Sequence, residues 1–132
     1  MENLKLVRCQ KEHWEFIRKL RTDPRNIGGF VKTAPISVAQ QKAYMKKYQR
    51  HYYVCLHDLL PVGFIGSIDG DLRVCTDHQW KGKGIAKFMV NEFAKRNKKK
   101  TFAKVKVDNK VSQRLFQSCG FELKFLIYEK RA

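Results

Sequence analysis

The sequence has no long apolar run, which excludes several classes of protein. None of its runs approaches the roughly 18 apolar residues of a membrane span, and the N-terminal stretch MENLKLVRCQ lacks the apolar core of a signal peptide. Its four cysteines include no CxxC pair, so neither a zinc site nor a redox pair is indicated. Cys55 and Cys75 lie in apolar, strand-like runs, where reduced buried thiols are commoner than disulfides. We therefore expect an intracellular, cytoplasmic protein without a bound metal.

Acidic residues are also scarce. Twelve Asp and Glu stand against 28 Lys and Arg, which gives a formal net charge of +16. Such an excess favours anionic partners such as nucleotides or nucleic acid, although a lysine-rich surface that only aids solubility explains it equally well. Part of the charge lies in KRNKKK at 95–100, at a predicted helix end, where cations suit the helix dipole.

Length and composition indicate one folded domain over residues 1–132. An apolar content of 43% is typical of a globular protein, and 132 residues suffice for a single core but not for two. The chain contains no repeat, low-complexity linker or second domain.

The first part of the chain predicts one strand and two helices. Residues 4–9 alternate apolar and polar side chains as a strand does. KEHWEFIRKLRTD follows with near-helical apolar spacing, and Pro24 is expected to end that helix. Residues 25–35 hold paired glycines and a proline and predict a loop, after which Ser37 is suited to cap a helix.

The middle of the chain predicts an antiparallel meander. Three short apolar runs at 52–58, 62–68 and 72–76 are separated by turn signals. The later elements are expected, in order, as a helix at 85–97, a strand at 101–107, a helix from Asn109 to Gly120 and a strand at 121–130. This order predicts a mixed α/β sheet with helices packed on its faces.

A Gly-Lys-Gly turn precedes the helix that begins near Ile85. Gly82 and Gly84 let the backbone approach a ligand closely, and a helix N-terminus offers unpaired N–H groups at the positive end of its dipole. Lys81 and Lys83 add positive charge. The pattern is suited to phosphate or pyrophosphate, yet alone it is also typical of an ordinary loop. It matches neither the P-loop nor the dinucleotide-binding fingerprint.

Two segments, WKGKGIAKFMV and VDNKVSQRLFQSCGF, resemble the GNAT superfamily of acetyl-CoA-dependent N-acyltransferases. The family's acyl-CoA loop has a basic residue or Gln, two free positions, Gly, one free position and then Gly or Ala, which here are Lys81, Gly84 and Ala86. The family's later helix pattern is met by Asn109, Ser112, Leu115, Phe116, Gly120 and Phe121. The predicted order of elements matches the family over essentially the whole chain.

The resemblance implies a fold and a cosubstrate. The expected fold is α/β, with a mixed, mostly antiparallel sheet of about six strands, four helices on its faces and a V-shaped splay between the fourth and fifth strands. The pantetheine arm of acetyl-CoA would lie in that splay, between 72–76 and 101–107. The residues that the resemblance assigns to the cofactor are Val74, Cys75, Thr76, Lys81, Gly82, Lys83, Gly84, Ile85, Ala86, Asn109, Ser112 and Phe116.

The implied chemistry is direct attack of an amine on the thioester, which needs a base and often an acid. The family commonly places an acidic base at the start of the strand before the acyl-CoA loop, and here that residue is Asp71. The alternative is that Asp71 belongs to a simple turn. His57 and His78 are weaker candidates that more often have structural roles.

The general acid departs from the family pattern. The usual tyrosine ahead of Gly-Phe is replaced by Phe116, which has no proton to donate. Tyr128, Cys119 or water is left to protonate the thiolate, or no acid is needed.

The sequence leaves several classes of acceptor amine open. KLRTDPRNIGGF and ISVAQQKAYM resemble sugar-nucleotide N-acetyltransferases and ribosomal-protein N-terminal acetyltransferases, and Arg21, Arg25 and Lys32 offer cations for phosphates. An amino sugar on a nucleotide, a protein N-terminus or lysine, and an amine on nucleic acid all remain open. A non-enzymatic, basic nucleic-acid-binding module is the alternative. Only one strand is expected after Gly120, where the family usually has two, so homodimerisation is a further expectation.

Overall fold

A computed structural model of the chain describes residues 3–27 and 36–132. Its strands are β1 (Leu4–Arg8), β2 (Tyr52–His57), β3 (Leu60–Ile68) and β4 (Asp71–Thr76). Its α-helices are α1 (Trp14–Thr22), α2 (Pro24–Ile27), α3 (Val38–Tyr48), α4 (Ile85–Arg96) and α5 (Lys110–Ser118). Short 3₁₀ turns cover Lys11–His13, Gln49–His51 and His78–Trp80.

Local sequence signals explain where the early helices begin. The Ser37 hydroxyl accepts a hydrogen bond from the Gln40 amide at 3.1 Å, and the Gln40 side chain accepts one from the Ser37 amide at 2.9 Å. This capping box confirms the predicted start of α3. The first helix, α1, ends at Thr22, just before Pro24 as expected. Pro24 also begins α2, because proline suits the first helical position. The predicted loop therefore overlaps α2 at 25–27, and its remainder at 28–35 lies outside the described residues.

The strands β2, β3 and β4 form the predicted antiparallel meander, and β1 pairs with β2 at its edge. The four strands are all antiparallel, whereas a mixed sheet was expected. The strand order of the sheet is β1-β2-β3-β4, and every neighbouring pair is antiparallel. The pleat sends alternate residues of β4 to opposite faces. Leu72 joins one core cluster, which also contains α4 residues Ile85 and Met89. Cys75 joins the other, which contains Ile17 of α1 and Met45 of α3. The sheet is thus the middle layer between two groups of helices.

The expected strand and helix numbers were wrong. The described residues form four sheet strands rather than about six, and five α-helices rather than four. Residues 101–107 contribute one isolated parallel bridge, between Asp71 and Phe102, and no strand is assigned to 121–130. Apolar alternation predicts an extended backbone, but strand pairing also requires a neighbouring edge to be in reach.

Neither a membrane span nor a metal cluster is found in the described part of the chain. None of its helices combines the length and apolarity needed to cross a bilayer. Among the same residues, no group of three or more His, Cys, Asp or Glu side chains is placed to hold a metal ion.

Candidate active site

The glycine turn between β4 and α4 has a left-handed backbone. Gly82 has φ 78° and Gly84 has φ 81°, a conformation that is costly for residues with a Cβ atom. A Cβ atom at either position would meet no atom within 4 Å. These glycines are therefore required by backbone conformation and not by close packing.

The turn leaves the start of α4 open. Gly84 is the N-cap residue, and as a glycine it has no side chain with which to cap the helix. Its carbonyl accepts a hydrogen bond from the Phe88 amide at 3.1 Å, which leaves the preceding amides of the first turn to other partners. Because the helix has 12 residues, its dipole places partial positive charge at this end.

A cavity of about 590 Å³ opens at this helix start. It lies between the end of β4, the glycine turn, α2 and the first turn of α5. Ten of the twelve residues predicted to contact the cofactor line it: Val74, Cys75, Thr76, Lys81, Gly82, Gly84, Ile85, Ala86, Asn109 and Ser112. The glycine turn at Gly84 and the helix start at Asn109, some 25 residues apart in the sequence, thus lie in the wall of one cavity.

The cavity lies where β4 separates from the segment that follows α4. The Leu72 amide donates to the Phe102 carbonyl at 2.8 Å, and the Phe102 amide donates to the Gly70 carbonyl at 2.8 Å. Within the described part of the chain, no backbone hydrogen bond joins 103–107 to β4. The cavity residues Val74–Thr76 come after this last bond. Backbone pairing that stops before Val74–Thr76 is what the expected splay requires.

Cations outnumber carboxylates in the cavity wall. Arg25, Lys81 and Lys87 line it, against a single carboxylate from Asp108. The Arg25 guanidinium also bonds Asp23, with 2.8 Å between Nη2 and Oδ2, and this hydrogen bond lowers the pKa of Asp23 to about 2. A wall with this charge, at a helix N-terminus, favours an anionic ligand group such as a pyrophosphate.

Two further wall residues each hold a buried polar atom without a partner. Asn26 is 4% exposed, and its Nδ2 donates to the Leu20 carbonyl at 3.1 Å. Its Oδ1 has no hydrogen-bond partner among residues 3–27 and 36–132, and neither has Oγ1 of Thr76. A buried unpaired polar group costs about 1–3 kcal/mol. A ligand that supplies a donor here would recover part of that cost.

Asp71 lies outside the cavity wall and in a separate polar cluster. Its Oδ2 is 3.8 Å from Nη2 of Arg73 and 3.5 Å from Nζ of Lys104. Arg73 Nη1 also donates to the Tyr44 hydroxyl at 3.2 Å, and that hydroxyl is 2.7 Å from the hydroxyl of Tyr52. Asp71 is thus held by two cations on the sheet face that packs against α1 and α3.

Three other predicted site residues are not in the wall. Lys83 lies in the glycine turn and is exposed. Phe116 is buried in the core, with its ring centroid 5.2 Å from that of Phe121. Tyr128 is 89% exposed on the C-terminal segment. Asn109 is in the wall, and its Oδ1 caps α5 by accepting from the Ser112 amide at 3.1 Å.

The two weaker candidates for the base, His57 and His78, both lie outside the cavity wall. The His57 ring packs against that of Trp80 with 4.8 Å between centroids and a tilt of 40°, and its Nδ1 is 3.7 Å from Oδ2 of Asp58. His78 lies in the 3₁₀ turn that follows β4, and neither histidine lines the cavity.

Four wall residues were not foreseen from the sequence. They are Asn26, Trp80, Asp108 and Val111. The last two flank Asn109, so proximity along the chain was the available signal. No sequence signal marked Asn26 as a site residue. It lies in α2, which tertiary packing against α1 brings to the cavity.

Cys75 lies in the wall but is a poor nucleophile. It is buried, and burial raises the pKa of its thiol to about 12. The thiolate is the reactive form of cysteine, so almost none is present at neutral pH. A covalent acetyl-cysteine intermediate is therefore disfavoured.

Comparisons with solved structures show the fold. Spermidine N-acetyltransferase from Vibrio cholerae, in complex with CoA and spermine, has a TM-score of 0.83 at 17% identity, covering 98% of this chain and 87% of its own. Ribosomal-protein-alanine N-acetyltransferase from Brucella melitensis has a TM-score of 0.77 at 16% identity, covering 89% and 84%. An aminoglycoside N-acetyltransferase in complex with CoA has a TM-score of 0.66 at 18% identity, covering 98% and 95%.

The sequence itself matches a family model. No curated protein matches the chain significantly. The model of the acetyltransferase (GNAT) domain matches residues 48–123, from the end of α3 past α5, which is more than half of the chain. This range contains the glycine turn and the cavity wall on β4 and α5. The chain therefore belongs to the GNAT family of acetyl-CoA-dependent N-acetyltransferases.

Proposed function

We propose that the cavity binds acetyl-CoA and that the chain transfers the acetyl group to a primary amine. The observation that carries this proposal is the shared wall: the left-handed glycine turn, the uncapped start of α4 and the end of β4 all line one cavity. The turn suits the pyrophosphate, with Lys81 and Lys87 beside it. Backbone groups of Val74–Thr76 are suited to pair with the amides of the pantetheine arm, as an added strand does.

The reaction proposed is direct transfer. The amine nitrogen attacks the thioester carbonyl carbon, and the resulting tetrahedral intermediate expels CoA as the thiolate when the C–S bond breaks. One proton leaves the amine nitrogen and one is taken up by the sulfur, so the products are an amide and free CoA. A backbone N–H of β4 would stabilise the oxyanion. The raised pKa of Cys75 supports this route over one through an acetylated thiol.

The acid and base assignments remain part of the proposal. Asp71 is proposed to accept the amine proton, and its approach to substrate would require it to exchange one of its two cationic partners, Arg73 or Lys104. Tyr128 is the weaker candidate for the acid, because it is 89% exposed and does not line the cavity. Cys119, water or the acidity of the CoA thiol itself are the remaining routes for the second proton.

For the acceptor we propose an amine that also carries negative charge, such as an amino sugar on a nucleotide. On the sheet face that packs against α1 and α3, Arg73 and Lys104 flank the single carboxylate of Asp71, and the Arg21 guanidinium lies 5.2 Å from the ring centroid of Tyr44. This cation-rich cluster, with a net chain charge of +16, disfavours a polycationic acceptor. A protein N-terminus or lysine on an anionic target is the second candidate.

The test begins with calorimetric titration of acetyl-CoA and of CoA into the purified protein. Saturable one-site binding of both is the expected result. Release of the free CoA thiol is then measured with a nucleotide-linked amino sugar, a peptide N-terminus and spermine. Turnover with spermine alone would contradict the proposed acceptor class, and absence of acetyl-CoA binding in the folded protein would overturn the function itself.

The nucleic-acid-binding alternative rests on the charge. Lys98, Lys99 and Lys100 are exposed after the C-terminal end of α4, and the cavity at the opposite end of this helix is also basic. Nucleic-acid binding that weakens steeply with salt, in a protein that neither binds acetyl-CoA nor releases CoA, would favour this reading.

A further inference from the structure

A cluster of cations, here called the basic end, lies where β1 ends and β2 begins. The helix α4 connects this end to the cavity: it begins at the cavity wall and ends about 18 Å away, because its 12 residues each add 1.5 Å. The basic end has six exposed cationic side chains, which are Arg8, Arg50, Arg96, Lys98, Lys99 and Lys100.

Two arginines of the basic end share one aromatic ring. The guanidinium carbons of Arg8 and Arg96 lie 5.6 Å and 5.5 Å from the ring centroid of Tyr53. Nη1 of Arg96 also donates to the Leu6 carbonyl at 2.7 Å, which fixes this guanidinium at the sheet edge. Two like charges held near one ring repel each other, so an anion bound beside both would stabilise the arrangement.

The loop that carries the three lysines is anchored on both sides. Oδ1 of Asn97 accepts a hydrogen bond from the Lys99 amide at 3.2 Å, and the Phe102 amide donates to the Gly70 carbonyl at 2.8 Å. The dipole of α4 accounts for Arg96 in its last turn, but this effect does not extend to lysines beyond the helix. The lysines are therefore held on a positioned backbone, and the end of the helix does not explain them.

The cations of the basic end are not neutralised within the described structure. None of the six forms a salt bridge with a described carboxylate. Two exposed carboxylates flank the cluster along the chain, Glu12 after β1 and Asp69 in the β3–β4 turn. Glu92 of α4 is already paired with Lys95 at 3.1 Å. The surface is therefore suited to a polyanion.

We propose that the basic end binds nucleic acid through its phosphate backbone, at a site separate from the cofactor cavity. Guanidinium groups match phosphate with paired N–H donors. The three lysines follow one another at about 3.8 Å per residue. This is close to the roughly 3.4 Å of helix axis between phosphates on one strand of a duplex, a regularity that carboxylates on an acidic protein lack. The site does not depend on the proposed acetyl transfer, and the nucleic acid is a partner and not the acceptor.

The test is fluorescence anisotropy of a labelled DNA duplex of mixed sequence and about 20 base pairs, at about 50 to 200 mM salt. Each phosphate contact adds about 0.9 to the slope of log affinity against log salt concentration. With six contacts, the dissociation constant is expected to rise roughly a thousandfold across this range. A protein that does not bind the duplex at the lowest salt concentration would overturn the proposal.

A matched pair of double variants separates this site from the charge of the chain as a whole. Lys98→Gln/Lys99→Gln removes two of the contacts and is expected to lower the salt slope by about 1.8. Lys19→Gln/Lys42→Gln removes the same charge from exposed positions on α1 and α3, and it should leave the slope unchanged. An equal decrease in both variants would mean that diffuse charge attracts the duplex, and the proposed site would be wrong.

Two competitors locate the site and identify its partner. Saturating acetyl-CoA is expected to leave the duplex affinity unchanged, because the cavity lies at the other end of α4. Displacement would place the duplex in the cavity and overturn the proposal. Poly-glutamate of equal charge is expected to compete less well than unlabelled duplex, and equal competition would assign the surface to an acidic protein instead.

The acetyl-CoA affinity of the Lys98→Gln/Lys99→Gln protein serves as the link to the proposed function. Calorimetric titration should give the wild-type value, because both lysines lie outside the cavity wall. The duplex measurements themselves contain no acetyl-CoA except in the competition. Failure of duplex binding and failure of acetyl-CoA binding are thus observed separately, and a loss of acetyl-CoA affinity in this variant would contradict two separate sites.

Discussion

The Leu72 amide and the Phe102 carbonyl form a 2.8 Å hydrogen bond beyond which β4 and the following segment pair no further in the described structure. A continued parallel ladder would close the space beside Val74–Thr76. Because the ladder ends there, the cavity stays open between the sheet and the glycine turn. The proposed cofactor site thus depends on a strand pairing that stops after its first residues.

Gly84→Glu is expected to lower acetyl-CoA affinity at least about tenfold, because it places a negative charge beside the proposed pyrophosphate site. Calorimetric titration measures this loss. Gly120→Glu is the matched control, since Gly120 has a similar φ of 88° and likewise no atom within 4 Å of a Cβ position. Both variants should lose roughly 1–2 kcal/mol of stability from the left-handed backbone. Equal acetyl-CoA affinities in the two would contradict the placement of the pyrophosphate.

Asn26→Ala is expected to weaken acetyl-CoA binding about fivefold, the value of one neutral hydrogen bond. The proposed partner of Asn26 Oδ1 is an amide of the pantetheine arm. Adenosine 3′,5′-bisphosphate lacks that arm, so its affinity should not change.

Gln41→Ala is the control for the structural part of that effect. Gln41 is also buried, its Nε2 donates to the Trp14 carbonyl at 3.0 Å, and its Oε1 has no partner in the described part of the chain. It does not line the cavity. An equal loss of affinity in both variants would mean that Asn26 acts only through stability.

Asp71→Asn is expected to reduce turnover about a hundredfold or more at neutral pH, because an amide cannot take the proton of an ammonium group. Activity should partly return at high pH, where the amine loses its proton without help. A pH–rate profile with a responsive acceptor is the measurement. Asp69→Asn provides the comparison, since Asp69 lies in the adjacent turn with φ 54°, which asparagine tolerates. Full activity of the Asp71 variant at pH 7 would remove this residue from the mechanism.

Cys75 is expected to resist alkylation at neutral pH and to carry no acetyl group after incubation with acetyl-CoA. Burial raises its pKa to about 12, so the reactive thiolate accumulates only as the pH approaches that value. Intact-mass measurement should find alkylation first at Cys119, which is partly exposed, whereas Cys9 and Cys55 are buried like Cys75. An acetylated Cys75 would replace direct transfer with a two-step mechanism.

The sequence by itself determined the elements whose signals are local. The Ser37 N-cap, the helix that starts at Asn109, the helix at Ile85–Arg96 and the three-strand meander are where the pattern placed them. Gly82 and Gly84 were identified for the same reason, since a left-handed turn limits the choice of residue at its own position. Such preferences act over a few residues and can be read without knowing the fold.

Only the tertiary structure decided which segments meet. The alternation at 101–107 and 121–130 predicted two further strands, but the first segment forms only an isolated bridge and the second is assigned none, because pairing also depends on a free edge within reach. The same holds for the cations around Asp71, for the burial of Phe116 and for Asn26 in the cavity wall. Each depends on contacts between residues distant along the chain, and no local preference of the backbone encodes them.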